Sequence, residues 1–442
     1  MGRRGGPGIA SRCLAQLPLR RLTTLASEER ILIPGGGALA TSGLNHAMAA
    51  LDGIRVYDLT QGIAGPHATM LLALHGATVV KVEPLTGDWC RALGTSYGEQ
   101  TASSFAFNRR KRSIALDLRS VAGREISRRL AQSSDVFVES FRPGVAARLG
   151  LSYEDLRAIN ANVVYGSMSG FGQSGPFSKR GTVDAMVQAF SGMMVMNRSH
   201  DGVPQRSGMT VVDIVSGLYL FQALSMAAVT KMRFGQGSYI DCSLMQSAAA
   251  MQASKIIEWT LTEGKSRPLY MPSGMVRTAD GAIVVSTMSE ESWKKLCIAI
   301  DRSDLTGDKR FVTAEARIDN GSALMMELAS TLSTKSSRAW LEKLVAHDVL
   351  AEVVQDYGQW LQSEQVLATN AFQTVVAKDL GQVAVANIPG VDCSNMDDTV
   401  LQAPGVGEHT LEILHELGYD AHEISVFLDC GAVRSGSEKR GG

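Results

Sequence analysis

Residues 53–59 (GIRVYDL) run directly into residues 60–66 (TQGIAGP), and this junction decides the fold. A short apolar run rich in β-branched and aromatic side chains reads as a buried strand, and the Gly/Pro-rich turn stops it. A helical stretch follows at 68–75, and a second strand at 77–83. Outward from there the alternation continues: a helix around 123–132, a strand at 135–139 (DVFVE), a helix at 153–159 and a strand at 163–167. Strands separated by helices imply an α/β fold with parallel pairing and helices on both faces. Ligands in such sheets collect at the carboxyl ends of the strands, so the chemistry is expected in segments 60–66, 84–91, 140–144 and 169–176.

Beyond residue 213 the chain turns helical through 214–233, then passes a Gly-Gln-Gly turn at 235–237, a short strand at 239–242 and a helix over 243–259. The pattern changes after Gly264. Two apolar runs at 275–278 and 282–287 flank Asp280-Gly281, a hairpin signature, and amphipathic helices are expected at 289–300, 323–332 and 337–346. Residues 48–264 therefore read as the first part of a large domain and 265–370 as a smaller α+β domain. Residues 371–442 read as a return segment, with a last helix at 411–417 and a frayed tail from 431.

Composition narrows the function. Forty-three Lys and Arg against 44 Asp and Glu leave a net charge of −1, unlike the dense positive charge that nucleic-acid coating needs. The longest apolar runs, such as 218–229, fall short of the ~20 residues that span a bilayer. The six cysteines form no Cys-x-x-Cys pair and the eight histidines no ligand-like spacing, which speaks against a disulfide framework or a metal centre and for a reducing compartment. Residues 1–27 carry Arg3, Arg4, Arg12, Arg20 and Arg21 with no acid before Glu28, the composition of a mitochondrial transit peptide. Met48 offers an alternative start, with a cytoplasmic protein as the corresponding reading. Residues 1–47 are set aside as leader or tail.

Three motifs carry weight. Gly170-Phe171-Gly172-Gln173-Ser174-Gly175 matches the dinucleotide spacing, but Pro176 follows at once, where that motif needs a helix. It reads as a loop that brings backbone close to a ligand. Arg109-Arg110-Lys111-Arg112 reads as a solvated surface run, and His67 and His75 as packing or exposed residues. Asp213 precedes the apolar helix. From the residues alone it reads first as an ordinary helix N-cap, and a nucleophile kept ionised by the helix's positive end also makes sense there. The residues leave both open.

From Leu51 nearly to Val433 the chain resembles the family III CoA-transferases, whose superfamily also contains α-methylacyl-CoA racemase. The blocks that carry the likeness run in the family's order. They are Leu51–Val56 with Ala64-Gly65-Pro66, Gly76-Ala77 through Lys81-Val82-Glu83-Pro84, Gly87-Asp88-x-x-Arg91, Asn108 with Lys111–Ile114, residues 135–139 with Pro143-Gly144, the 170–176 loop, Gly235-Gln236-Gly237 with Ile240-Asp241, and Gly407–Thr410. The resemblance implies a catalytic aspartate at Asp213, with supporting roles at Arg91 and Asp184. CoA contacts would fall on Ile63, Ala64, Leu116, Ser140, Phe141, Arg148 and Arg180. It implies a Rossmann-like large domain built from both chain ends, a ring-shaped chain and an interlocked homodimer. It also implies no permanently bound cofactor, an acyl-CoA and a small carboxylic acid as substrates, and no metal, nucleic-acid or membrane partner. Racemases place His at the position of Val183, and valine moves no proton. Racemase and a non-catalytic CoA-binding homologue are the alternatives.

Overall fold

A computed structural model describes residues 49–198, 202–265, 267–391 and 401–436; the leader expectation lies outside them. The described residues form one compact unit. Its main sheet contains β1 (Arg55–Leu59), β2 (Thr78–Glu83), β3 (Arg112–Leu116), β4 (Val136–Glu139), β5 (Val164–Ser169) and β6 (Ser238–Ser243). Among the described residues these pair in the order β3-β2-β1-β4-β5-β6, all parallel. The order reverses between β1 and β4, the switch point at which α/β sheets open a crevice. The turns after those two strands, 60–63 and 140–143, flank it.

Strand alternation divides the side chains between the two faces. Val56, Val138 and Val164 face α1 (Ala64–Leu74) and a 24-residue helix over Val211–Phe234. Tyr57, Phe137 and Tyr165 face a helix at Val121–Gln132, the short helix Tyr153–Ile159 and Ile413 and Leu414 near the carboxyl end. All eleven residues of α1 are buried. Its third side is covered by Val375 and Val385 of a hairpin, Phe372–Ala377 with Gly381–Ala386.

The helix Val211–Phe234, α2 here, lies against β5 and α1 along Val212, Ser216, Gly217, Leu220 and Leu224. Gly217 makes the approach possible. A Cβ there would stand 2.7 Å from His67 Nδ1 and 2.8 Å from the Ala64 carbonyl. Contrary to the expectation from uninterrupted apolar runs, α2 is long and apolar enough to cross a membrane by length and composition. Its stripe of small and aliphatic residues instead packs on the sheet, and its far side exposes Leu218, Met226, Met232 and Phe234.

The hairpin at Asp280-Gly281 forms as read, joining Ser273–Arg277 to Ala282–Ser286. A third strand, Leu350–Val353, had no clear signal and pairs on the other side of Ala282–Ser286. Helices Glu290–Ala299, Gly321–Leu332 and Ser337–Ala346 cover this sheet around Trp293, Trp340, Leu324 and Phe311, a hydrophobic cluster separate from that of the main sheet.

Two expectations are corrected. The helix expected over 243–259 is two, Leu244–Met251 and Ala253–Leu261, broken at Gln252. The tail expected to be frayed from 431 is ordered at 431–436, the rest lying outside the described residues: Val433–Arg434 adds an antiparallel edge strand to β3, with Val433 opposite Leu116. Two residues are too short a run to read as a strand, and pairing with β3 makes them one. A helix at Ala421–Asp429 precedes them, capped by Asp420.

Gly217→Val should force α2 off α1. Overpacking of this kind costs about 1–3 kcal/mol, so the denaturant midpoint should fall with an unchanged m-value.

Candidate active site

The turn after β1 is held from beneath by buried charge. Asp58, fully buried, accepts the Thr60 amide at 3.0 Å and the hydroxyls of Thr60 (2.5 Å) and Thr69 (2.6 Å). Lys111 donates to Asp58 Oδ2 at 3.0 Å and to the Pro66 carbonyl at 2.9 Å. Lys81, opposite Asp58 in the sheet, reaches Asp88 at 2.9 Å and the Thr60 carbonyl at 2.9 Å. Asp88 in turn accepts the Gly62 amide at 3.0 Å, and Ser140 Oγ accepts that of Gln61 at 2.9 Å. Burial alone would raise the Asp58 carboxyl, but Lys111 and Lys81 hold it below the usual carboxylate range.

This corrects the reading of 109–112 as a solvated run. Lys111 and Arg109 are buried, and Arg112 pairs with Glu416 at 2.8 Å. A charge cluster goes inside when each charge has a partner, and the partner of Lys111 lies 53 residues away.

With 60–62 fixed, α1 starts at Ala64 with no side chain capping it. Its first amides have no intrahelical acceptor. The residues that bear them, Ala64 and Gly65, line a cavity of about 340 Å³ together with Gln61 and Ile63 of this turn. Trp89, Ser140–Pro143, Met168–Gly170, Ser178, Arg180–Val183 and Leu244 supply further walls, and Asp213 the remaining one.

Asp213 is not the N-cap of its helix. Thr210 occupies that place without a side-chain bond, and Asp213 is the third helical residue. The capping carboxylate is Asp184, which accepts the amides of Val212 at 2.7 Å and Asp213 at 3.1 Å. Gln188 holds Asp184 through its side-chain amide at 2.5 Å. Asp213 lies one turn before Gly217, on the same face, so the close approach of α2 to α1 brings this half-buried residue to the cavity that Ile63, Ala64 and Gly65 also line. Its carboxyl is pushed up to about 7, first by burial and then by the like charge of Asp184. Burial and Asp184 thus both oppose the ionisation that the helix's positive end favours.

Ile63, Ala64, Ser140, Phe141, Arg180 and Asp213 thus converge on one cavity. Four other expected residues do not line it. Leu116 is a core residue beneath the sheet end, Arg148 is exposed on a short helix after Gly144, and Asp184 is buried behind Asp213. Arg91 pairs with Glu83 at 2.7 Å and donates to the Pro404 carbonyl at 2.9 Å, fastening the return segment. The reading missed Trp89 and Arg142. A half-exposed tryptophan beside Gly62 and an arginine in the turn after β4 were signals at strand ends already singled out. His67 is a packing residue: Nδ1 lies 3.2 Å from the Ile214 carbonyl, and burial pushes its pKa down to about 4.

A Rossmann-ordered sheet thus carries a cavity at its switch point, lined by Asp213 and by the uncapped start of α1. The sequence pattern of CoA-transferase family III matches residues 51–410, and the chain belongs to that family. It is a CoA-transferase. It is similar to human succinyl-CoA:glutarate CoA-transferase, at 31% identity over 87% of this chain and 90% of that one. It is also similar to succinate–glutarate CoA-transferase of Agrobacterium fabrum, at 33% over 83% and 95%. The crystal structure of a CAIB/BAIF family protein from Brucella suis superposes with a TM-score of 0.75 at 30% identity, covering 84% of this chain and all of that one.

Lys111→Met leaves Asp58 buried without its partner, and losses of this kind run to about 3–5 kcal/mol. Chemical denaturation should show that loss, and adding Asp58→Asn should recover part of it.

Proposed function

We propose that the enzyme moves CoA from succinyl-CoA to a small dicarboxylic acid by way of Asp213. The observation that carries this is that the half-buried Asp213 and the uncapped start of α1 line one cavity. The carboxylate attacks the thioester carbonyl, and the developing oxyanion takes hydrogen bonds from the first amides of α1. CoA thiolate leaves and an aspartyl anhydride forms. The thiolate then attacks the aspartyl carbonyl, giving an aspartyl-CoA thioester and releasing the first acid. The acceptor carboxylate runs the same steps in reverse and departs as the new thioester. Each step exchanges one acyl bond for another, so the thioester's energy is kept as long as water is excluded.

The relatives support the dicarboxylate class, since the human, Agrobacterium fabrum and Haloarcula hispanica proteins are named for succinyl or succinate with glutarate or mesaconate. Arg142 and Arg180 at the cavity suit anionic groups, the second carboxylate or the CoA phosphates. Val183 lines the cavity where racemisation needs a proton carrier, which favours transfer over racemisation.

The same reading includes a homodimer of interlocked rings, with 265–370 as a small inserted domain. The apolar far side of α2 and the exposed Ile257, Trp259 and Leu261 of the neighbouring helix support it, because patches of this kind mark interfaces. Light scattering should give a dimer that does not dissociate on dilution. We place the reaction in the mitochondrial matrix on the composition of residues 1–27, and a fluorescent fusion lacking residues 1–47 should lose that location.

Asp213→Asn should lower CoA exchange between succinyl-CoA and glutarate by about 10³-fold or more, as loss of a nucleophile does. Hydroxylamine trapping should label Asp213 in the parent and nothing in the variant. Because the carboxylate is the attacking form and its pKa lies near 7, kcat/KM should fall about tenfold per pH unit below 7. Asp184→Asn removes the like charge and should move that limb to lower pH.

A further inference from the structure

Glu139 ends β4 and, by strand alternation, points to the opposite face of the sheet from Ser140. It is buried, yet it neither lines the active-site cavity nor pairs with a cation among the described residues. Its Oε2 accepts the Phe141 amide at 2.7 Å, and its Oε1 accepts the Ser167 hydroxyl of β5. Ser167 Oγ accepts in turn from the Gln173 side-chain amide at 2.8 Å, and the Gln173 backbone amide donates to Asp241 of β6 at 3.2 Å. One end of this chain of bonds is the turn bearing Ser140, Phe141 and Arg142; the other is the glycine loop that follows Gly170. The turn lines the active-site cavity, and so does Gly170, from which the loop springs; Gln173 itself lies on the other face.

From this geometry we propose that Glu139 is a positioning residue for CoA binding, its carboxylate tying the 140–143 turn to the glycine loop so that two walls of the cavity keep a fixed separation. The proposal rests on the reading of that cavity as the CoA-thioester site. Two acceptors are needed, one for an N–H and one for an O–H. A carboxylate supplies both, and a glutamine only one. Retaining a buried carboxylate in place of an apolar filler has a desolvation cost, so the link has to serve something.

The link is also protonation-sensitive. Burial pushes the Glu139 carboxyl up to about 7, the Ser167 and Phe141 bonds oppose this, and Asp241 adds to it. The groups facing it are Tyr165 on β5, Tyr239 and Asp241 on β6, Tyr153 and Glu154 on the helix Tyr153–Ile159, and Arg142. Once protonated, one oxygen becomes a donor, the Ser167 bond has to reverse or give up its charge-assisted character, and the tie to the loop weakens. A second cavity of about 450 Å³ on this face, lined by Glu139, Ser167, Gln173 and Tyr239, gives the proton a route.

The test is CoA affinity by calorimetry between pH 6 and 8 in the Asp213→Asn background, which removes the other group titrating near 7, together with KM and kcat for succinyl-CoA in the otherwise parental chain. Affinity should weaken several-fold as pH falls, and Glu139→Gln should flatten that dependence. Glu139→Ala should raise KM about tenfold with kcat within threefold, a loss of the order of one charged hydrogen bond. Gln173→Ala, a change in a loop, should move KM the same way by less and covers the case in which Glu139→Ala does not fold. Unchanged affinity and pH dependence in Glu139→Gln and Gln173→Ala, or a fall in kcat with KM unmoved, overturns the proposal. CoA binding without any exchange in the parent falls on the catalytic reading alone.

Discussion

The pairing of Asp58 and Lys81 across β1 and β2, with Lys111 and Asp88 closing the cluster, is the constraint on which the rest of the site depends. Four charges sit where water does not reach, and each is committed to another charge or to a backbone group of the turn 60–66. Low dielectric makes such a cluster expensive to half-satisfy, so the turn has one arrangement. That arrangement ends with the start of α1 uncapped by any side chain and lining the cavity.

Asp213 arrives from the other side by packing alone. A small residue at 217 lets α2 come down on α1, and helical periodicity carries that contact one turn back to the carboxyl group. The polar work of capping is done by Asp184, which frees Asp213 to face the cavity. The same capping group, being anionic, makes Asp213 harder to ionise, so one residue sets both the position and the proton affinity of its neighbour.

The path of the chain was legible because strands and helices announce themselves through periods of two and 3.6 residues. The boundaries of β1, β4 and the helix Tyr153–Ile159 fall within a residue or two of where periodicity puts them. Failures cluster where long-range pairing decides. Val433–Arg434 is a strand only because β3 offers an edge, and Leu350–Val353 only because Ala282–Ser286 does. The basic run was misread because local composition carries no information about a carboxylate 53 residues upstream. Trp89 and Arg142 went unnoticed because a single aromatic or cation has no pattern.

By itself the sequence determined the class of fold, the strand ends at which chemistry is possible, and, through ordered motifs, a family with one aspartate to watch. The tertiary structure decided which residues meet there. It sent Arg91 and Leu116 inward, brought Arg142 and Trp89 to the cavity, gave the helix cap to Asp184 and left Asp213 in the cavity beside the start of α1. Local backbone geometry is written in neighbouring residues and can be read from them. Burial and ion pairing depend on groups distant in the chain, and only folding sets those distances.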